Sequence, residues 1–324
     1  MNNYAYRIVA LFITNLPAVA LGHHSIAYFS EEVRSVQGVL KEVRWQNPHV
    51  GLVIEVPEEG GGTADWHLEA NSIYNLQRSG VTEDRFTIGE VVRVTGRMSI
   101  REENVILTSE IVLSSGELLV MRDAQGDYGL GSPPDTIAEN RGIFRVWSVP
   151  RPSGRRTHFP FREEALAGRA AFDMLDNFAL RCEPEGMPRI MLNPHPFEFV
   201  DNGATITLRT ELYDIERTIH MDAAASPADQ PNTHLGYSIG RWEDGDLVVE
   251  TTRVDWPYFD RLGTPQSERV SIMERFSLSD DQSKIDYFFT ITDPETFVES
   301  ATVSGQWLAL GESILNYDCQ PYIN

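Results

Sequence analysis

Between Val36 and Leu119, apolar and polar residues alternate in short runs: VQGVLKEVRW, VGLVIEV, ADWHLEA, EVVRVTGRMS and VILTSEIVL. A period of two marks strands with one buried face, so the stretch predicts five of them. SIYNLQRSG interrupts the alternation after the third run and reads as a short helix. Five strands with one helical insert between the third and fourth predict a small Greek-key barrel of the OB type. From Pro196 the alternation returns in FEFVDNGATITLRTEL, IERTIHMD, YSIGRWEDGDLVVETT, ERVSIMERFSL, KIDYFFTIT, SATVSGQWLAL and ESILNYD. Asn202-Gly203 and Asp244-Gly245 carry the residue types that supply the positive backbone angles of tight hairpins. About eight antiparallel strands in meander order predict an up-and-down, lipocalin-like barrel, with a β-sandwich as the alternative.

Between these regions the pattern is irregular. GDYGLGSPPDT and RPSGRRTHFPF are rich in glycine, proline and charge and read as connecting chain. EEALAGRAAFDMLDNFAL, residues 163–180, predicts a helix that is acidic at its start, as the macrodipole prefers. The fold class is therefore mainly β. The expected organisation is an N-terminal segment 1–22, an OB-like domain 23–119, a linker with one helix 120–180 and an antiparallel barrel 181–324.

A length of 324 residues agrees with two domains, each able to bury a core. Charge narrows the partners: 48 acidic against 27 basic side chains give −21, which repels a polyanion and makes nucleic acid a poor partner. Residues 1–22, MNNYAYRIVALFITNLPAVALG, place Arg7 ahead of an apolar run from Ile8 to Leu16 and then small residues in cleavage spacing. That is the pattern of a secretory signal, cut after Ala20 or after Gly22, and it implies a periplasmic or secreted protein with no stable membrane span. In an oxidising compartment the two cysteines, Cys182 and Cys319, are expected to form one disulfide.

HHSIAYF followed by VQGVLKEVRWQNPHVGLVIEV resembles the N-terminal half of an uncharacterised family of exported bacterial two-domain proteins. CEPEGMPRIM, IHMD, GYSIGRWEDGDLVVET, MERFS and TITDP are similar to that family's C-terminal domain. The resemblance implies export and a two-domain plan, and it carries no assigned activity or site residues.

Candidate chemistry begins with the histidines. After cleavage, His23 and His24 stand at or near a new N-terminus, with His49 of the NPHV turn as a possible third nitrogen donor, a set suited to copper. The alternative is a solvated terminus and a His49 that merely packs. Strand parity supplies the second constellation: Ile215, Arg217, Ile219 and Met221 share one face, as do Val270, Ile272, Glu274 and Phe276. A charge in mid-strand on an apolar face is costly unless paired or used, so Arg217 and Glu274 are expected inside the barrel, close to each other or to a common ligand. Tyr237, Arg241 and Tyr258 are the further ligand-binding candidates, and His220 and His234 join Glu274 as acid–base candidates. No G-x-S-x-G elbow or Walker loop occurs, and prolines spoil the glycine-rich GLGSPP as a phosphate cradle. Three functions follow: an exported small-molecule-binding protein with its pocket in the C-terminal barrel, an enzyme of lyase, isomerase or hydrolase type in the same pocket, or a copper-binding protein.

Overall fold

The structure is a computed structural model that describes residues 29–122, 142–150, 154–173, 176–221 and 226–321. The signal-like segment and its histidines, His23 and His24, lie outside the described residues. The protein is mainly β and carries two sheets. Among the described residues no helix is long and apolar enough to cross a membrane.

The first sheet holds β1 (Phe29–Arg44), β2 (Gly51–Pro57), β3 (Thr63–Glu69), β4 (Val91–Ser99), β5 (Val105–Val112) and β6 (Leu118–Val120), with α1 (Ile73–Arg78) between β3 and β4. β1 pairs with β4 from Phe29 to Val39 and with β2 from Val39 to Arg44, with register shifts between Phe29 and Val33 and between Leu40 and Glu42. A parallel β3–β5 pairing joins the ends of the antiparallel run, so five strands form a ring with β6 appended. Gly96 is required where β4 crosses β5, because a Cβ there would lie 2.2 Å from the Leu107 carbonyl oxygen. Inward residues of every strand, with Leu76 of α1, make the core: Leu40, Leu52, Ile54, Leu68, Val94 and Ile106 are all buried.

The second sheet has ten strands: β7 (Val146–Trp147), β8 (Arg156–His158), β9 (Phe197–Asp201), β10 (Thr205–Thr210), β11 (Ile215–His220), β12 (Tyr237–Glu243), β13 (Asp246–Thr252), β14 (Ser271–Leu278), β15 (Lys284–Thr292) and β16 (Ala301–Leu308). From β9 to β16 they follow chain order, with β7 on one edge and β8 on the other. Ser148, just after β7, exchanges two 2.8 Å hydrogen bonds with Leu308, so the sheet curls far enough to bring its ends together. Trp147, Phe197, Phe199, Phe276, Phe289 and Trp307 are fully buried in this unit's core, with Phe197 stacked on Trp307 at 4.5 Å.

Four details depart from the sequence expectation. Both edge strands, β7 and β8, come from the segment read as linker. The helix α2 (Glu163–Ala171) stops before Phe172 instead of reaching residue 180. β11 and β12 pair in parallel, so the meander is not wholly antiparallel. ESILNYD is no strand: the Leu315 and Tyr317 N–H groups donate to the side chains of Glu211 and Asp214, and the following Cys319 forms an isolated bridge to Asn47 in the turn after β1. At the hairpins, Asp244 and Gly245 both adopt positive φ, whereas of Asn202-Gly203 only the glycine does.

Candidate functional site

Parity placed Arg217 and Glu274 correctly on the inward face. Arg217 is 3 % exposed and Glu274 is wholly buried, and the two form a bidentate ion pair in which Arg217 Nη1 donates to Oε1 at 3.0 Å and Nη2 to Oε2. The guanidinium also donates to Ser238 Oγ at 3.0 Å and to Thr251 Oγ1 at 2.6 Å, and those hydroxyls bond each other. Both carboxylate oxygens and four guanidinium N–H groups thus find partners inside the protein. Such saturation is what a buried charge needs in order to persist without a ligand.

The remaining predicted residues do not gather round this pair. Tyr237 and Arg241 lie on the opposite face of β12 from buried Ser238, because successive residues of a strand point to opposite sides. There Tyr237 stacks on His220 at 4.6 Å and Arg241 pairs with Glu243 at the surface. His234 is exposed and packs on Trp256 at 5.0 Å. Tyr258 belongs to an aromatic cluster with Phe172, Phe178 and Trp256. Among the described residues no group of three or more His, Cys, Asp or Glu side chains is placed to hold a metal ion. The predicted disulfide between Cys182 and Cys319 is present.

A different place draws polar groups together: the cleft where the two sheets meet. Its walls come from the turn after β1 (Pro48, His49), the start of α1 (Asn71, Ser72, Asn75), Arg122 after β6, the 177–195 segment, the turn at Leu212 and Tyr213, the loop bearing Arg261, and Tyr317 of the tail. The opening holds about 170 Å³.

Glu211 anchors the two halves around it. Fully buried, it accepts from Arg78 Nη1 at 2.9 Å and Nη2 at 2.6 Å, from the Leu315 N–H at 3.2 Å, and sits 3.0 Å from His195 Nδ1. Burial alone would raise this carboxyl, but the bonds and charges of Arg78 and His195 outweigh it and hold Glu211 at about 2. The disulfide ties the tail to the 177–195 segment, while the buried Asn47 side chain donates to the Tyr317 carbonyl and accepts from the Ile73 N–H.

Two histidines face the cleft in matching ways. His49 Nδ1 lies 3.1 Å from the Ala70 carbonyl, which only accepts, so Nδ1 carries the proton in that bond and Nε2 is turned toward Glu69 Oε1 at 3.8 Å. Glu69, at the end of β3, is 7 % exposed; burial lifts it from 4.5 to about 8 against the opposing charge of Arg122. Glu185, 5 % exposed, is likewise raised by burial while Arg189 and Arg261 pull it down. Arg189 lies 3.3 Å from Glu185, and Arg122 only 3.9 Å from Glu69. Arg261 keeps exposed surface, and its guanidinium is lowered by the protein around it and then by Arg189 and Arg122.

A family of unknown function (DUF6152) matches residues 11–105. That stretch covers β1 to β4 and carries one wall of the cleft: Pro48, His49, Asn71, Ser72 and Asn75. It supports the resemblance read from the N-terminal half and does not reach the second half. No curated protein matches the chain.

Sequence reasoning named His49 as a metal ligand but missed the other groups of the cleft. One signal was present: the tripeptide Asn-Pro-His occurs at 47–49 and again at 193–195, and both copies border the cleft. In each, the asparagine is buried and its Oδ1 accepts a backbone N–H, from Ile73 in the first and His195 in the second, while the histidine is anchored through Nδ1.

Proposed function

We propose that this is an exported protein that binds a small molecule in the cleft between its two sheets, not within the curl of the larger one. The observation that carries the reading is the convergence of Arg122, Arg189, Arg261, Glu185, His49 and His195 on one opening between two structural units. A few polar groups converging where units meet is the common form of a small-molecule site. By contrast, the buried pair Arg217–Glu274 already has its partners. About 170 Å³ suits a compact ligand, since a cavity of about 150 Å³ accepts benzene. Export is supported by the disulfide, which persists in oxidising compartments, and by the apolar N-terminal run. The ring order of the first sheet supports an OB-like assignment, and the chain-order run β9–β16 supports a lipocalin-like one.

A thermal-shift screen of small polar compounds tests the reading. The expected result is a compound that raises the melting temperature of the wild type and no longer does so for Arg189→Met or Ser72→Val. Stabilisation retained in both variants would put the ligand elsewhere.

A second reading is an enzyme of lyase, isomerase or hydrolase type in the same cleft. Glu69, behind the lining residues His49 and Arg122, favours it, because a carboxyl held at about 8 is a proton donor at neutral pH and the imidazole 3.8 Å away faces the cleft. Turnover of a bound compound, abolished in Glu69→Gln with binding retained, distinguishes the enzyme from the binder.

A further inference from the structure

The fixed charges around the cleft are unequal. Arg122, Arg189 and Arg261 all line it, and arginine stays cationic at physiological pH. Of the acids that face them, Glu211 is held by Arg78 and His195, Glu185 lies beside Arg189, and Glu69 reaches Arg122 only at 3.9 Å, beyond hydrogen-bonding range. Burial raises Glu69 to about 8, so its negative charge is the part the protein suppresses, and burial acts on Glu185 in the same direction. Repulsion among the arginines shows at Arg261, which Arg189 and Arg122 push down after burial has done so, ahead of the opposing charges of Glu185 and Asp260, the latter already paired with Arg169.

A second observation is independent of charge. Arg122 Nε, Arg189 Nε, Ser72 Oγ and Glu185 Oε2 are buried and have no hydrogen-bond partner in the protein. Ser72 is 3 % exposed and Glu185 5 %, and all four residues border the cleft. Unpartnered buried polar atoms are rare, and three of these four, the two Nε–H groups and the Ser72 hydroxyl, are donors that call for an acceptor.

We propose that the cleft receives a small organic oxyanion, a carboxylate or a phosphate ester, held between Arg122, Arg189 and Arg261 with the Ser72 hydroxyl as a further donor. The inference rests on the cleft being the ligand site and adds the chemical class. An oxyanion accepts paired N–H donors in the fork geometry of guanidinium and cancels the repulsion among three cations. A neutral ligand leaves that repulsion in place, and a cation adds to it.

Calorimetric titration of the full chain with succinate, benzoate and glycerol 3-phosphate, alongside the neutral succinamide and benzamide, tests the class. At least one anion is expected to bind, with its neutral counterpart or, for the phosphate, free glycerol weaker by about tenfold or more, the size of one charge-assisted hydrogen bond. Arg122→Met and Arg261→Met are each expected to weaken that anion about tenfold, and Arg241→Met, on the outer face of β12, to leave it unchanged. Because Arg261 is repelled by its neighbours, Arg261→Met without ligand is expected to melt at or above the wild-type temperature. A fall of more than about 2 °C marks a structural arginine and overturns the inference. So does a panel in which no anion binds. Neutral amides that bind as well as the anions, and are lost in the cleft variants, overturn the anion class and leave the cleft standing as a site. Binding that no cleft variant disturbs removes both.

Discussion

Replacing Glu69 with glutamine should change how stability depends on pH. The carboxyl is 7 % exposed and stands at about 8 in the folded protein against an ordinary 4.5. Between those values the folded state keeps the proton that the unfolded state gives up. The native state therefore binds more protons there, and stability falls as pH rises through this window, levelling off above about 8. At about 1.36 kcal/mol per pH unit, the rise from 4.5 to about 8 corresponds to about 5 kcal/mol lost across the window. Glutamine has the shape of the protonated acid and cannot ionise, so Glu69→Gln removes the penalty. Urea unfolding of both proteins at about pH 4, 6, 7 and 9 gives the difference directly, since all other titrations are common to the two. The variant should match the wild type near pH 4 and exceed it by several kcal/mol near pH 9. Parallel profiles, with one constant offset at every pH, would refute the burial of an un-ionised carboxyl at the end of β3.

At the acid end the sign reverses for Glu211, whose carboxyl is lowered to about 2: its contribution, about 3 kcal/mol, is present above 4.5 and lost as pH falls toward 2, and Glu211→Gln should flatten that limb in acid-unfolding curves. Glu274→Gln should cost about 3–5 kcal/mol by leaving Arg217 buried and uncompensated, while the double change Arg217→Met with Glu274→Leu should cost far less; equal losses in urea titrations would argue against a closed ion pair. Changing Cys182 and Cys319 to alanine opens a loop whose ends are 137 residues apart, for a loss of about 5 kcal/mol in the chain-entropy treatment. Because the disulfide holds the tail bearing Tyr317, the same variant should also weaken any ligand of the cleft, read by calorimetry.

What could be read from the chain was whatever depends on near neighbours. Alternation placed Arg217 and Glu274 on buried faces because pleating sends every second side chain the same way, whatever the rest of the fold does. The Asp244-Gly245 turn was legible for the same local reason, and two cysteines leave only one intramolecular pairing. The edge strands β7 and β8 were not legible, because two or three residues hold too little pattern to outweigh the prolines and glycines around them. Parity assigned Tyr237 and Arg241 to one face but could not say that this face turns outward, which the partners of Ser238 and Gly240 determine.

On its own, the sequence determined a mainly β chain, its strand faces, a buried ion pair and a covalent link between its end and its middle. Where the two sheets meet was decided by tertiary contacts: Arg78 with Glu211, Asn47 with Tyr317, and the tail laid between them. Those contacts bring Glu69, Arg122, Glu185, Arg189 and Arg261 together from positions nearly 200 residues apart in the chain. No period of two or of 3.6 records such a meeting, because burial and repulsion among these groups exist only after the surfaces that carry them have docked.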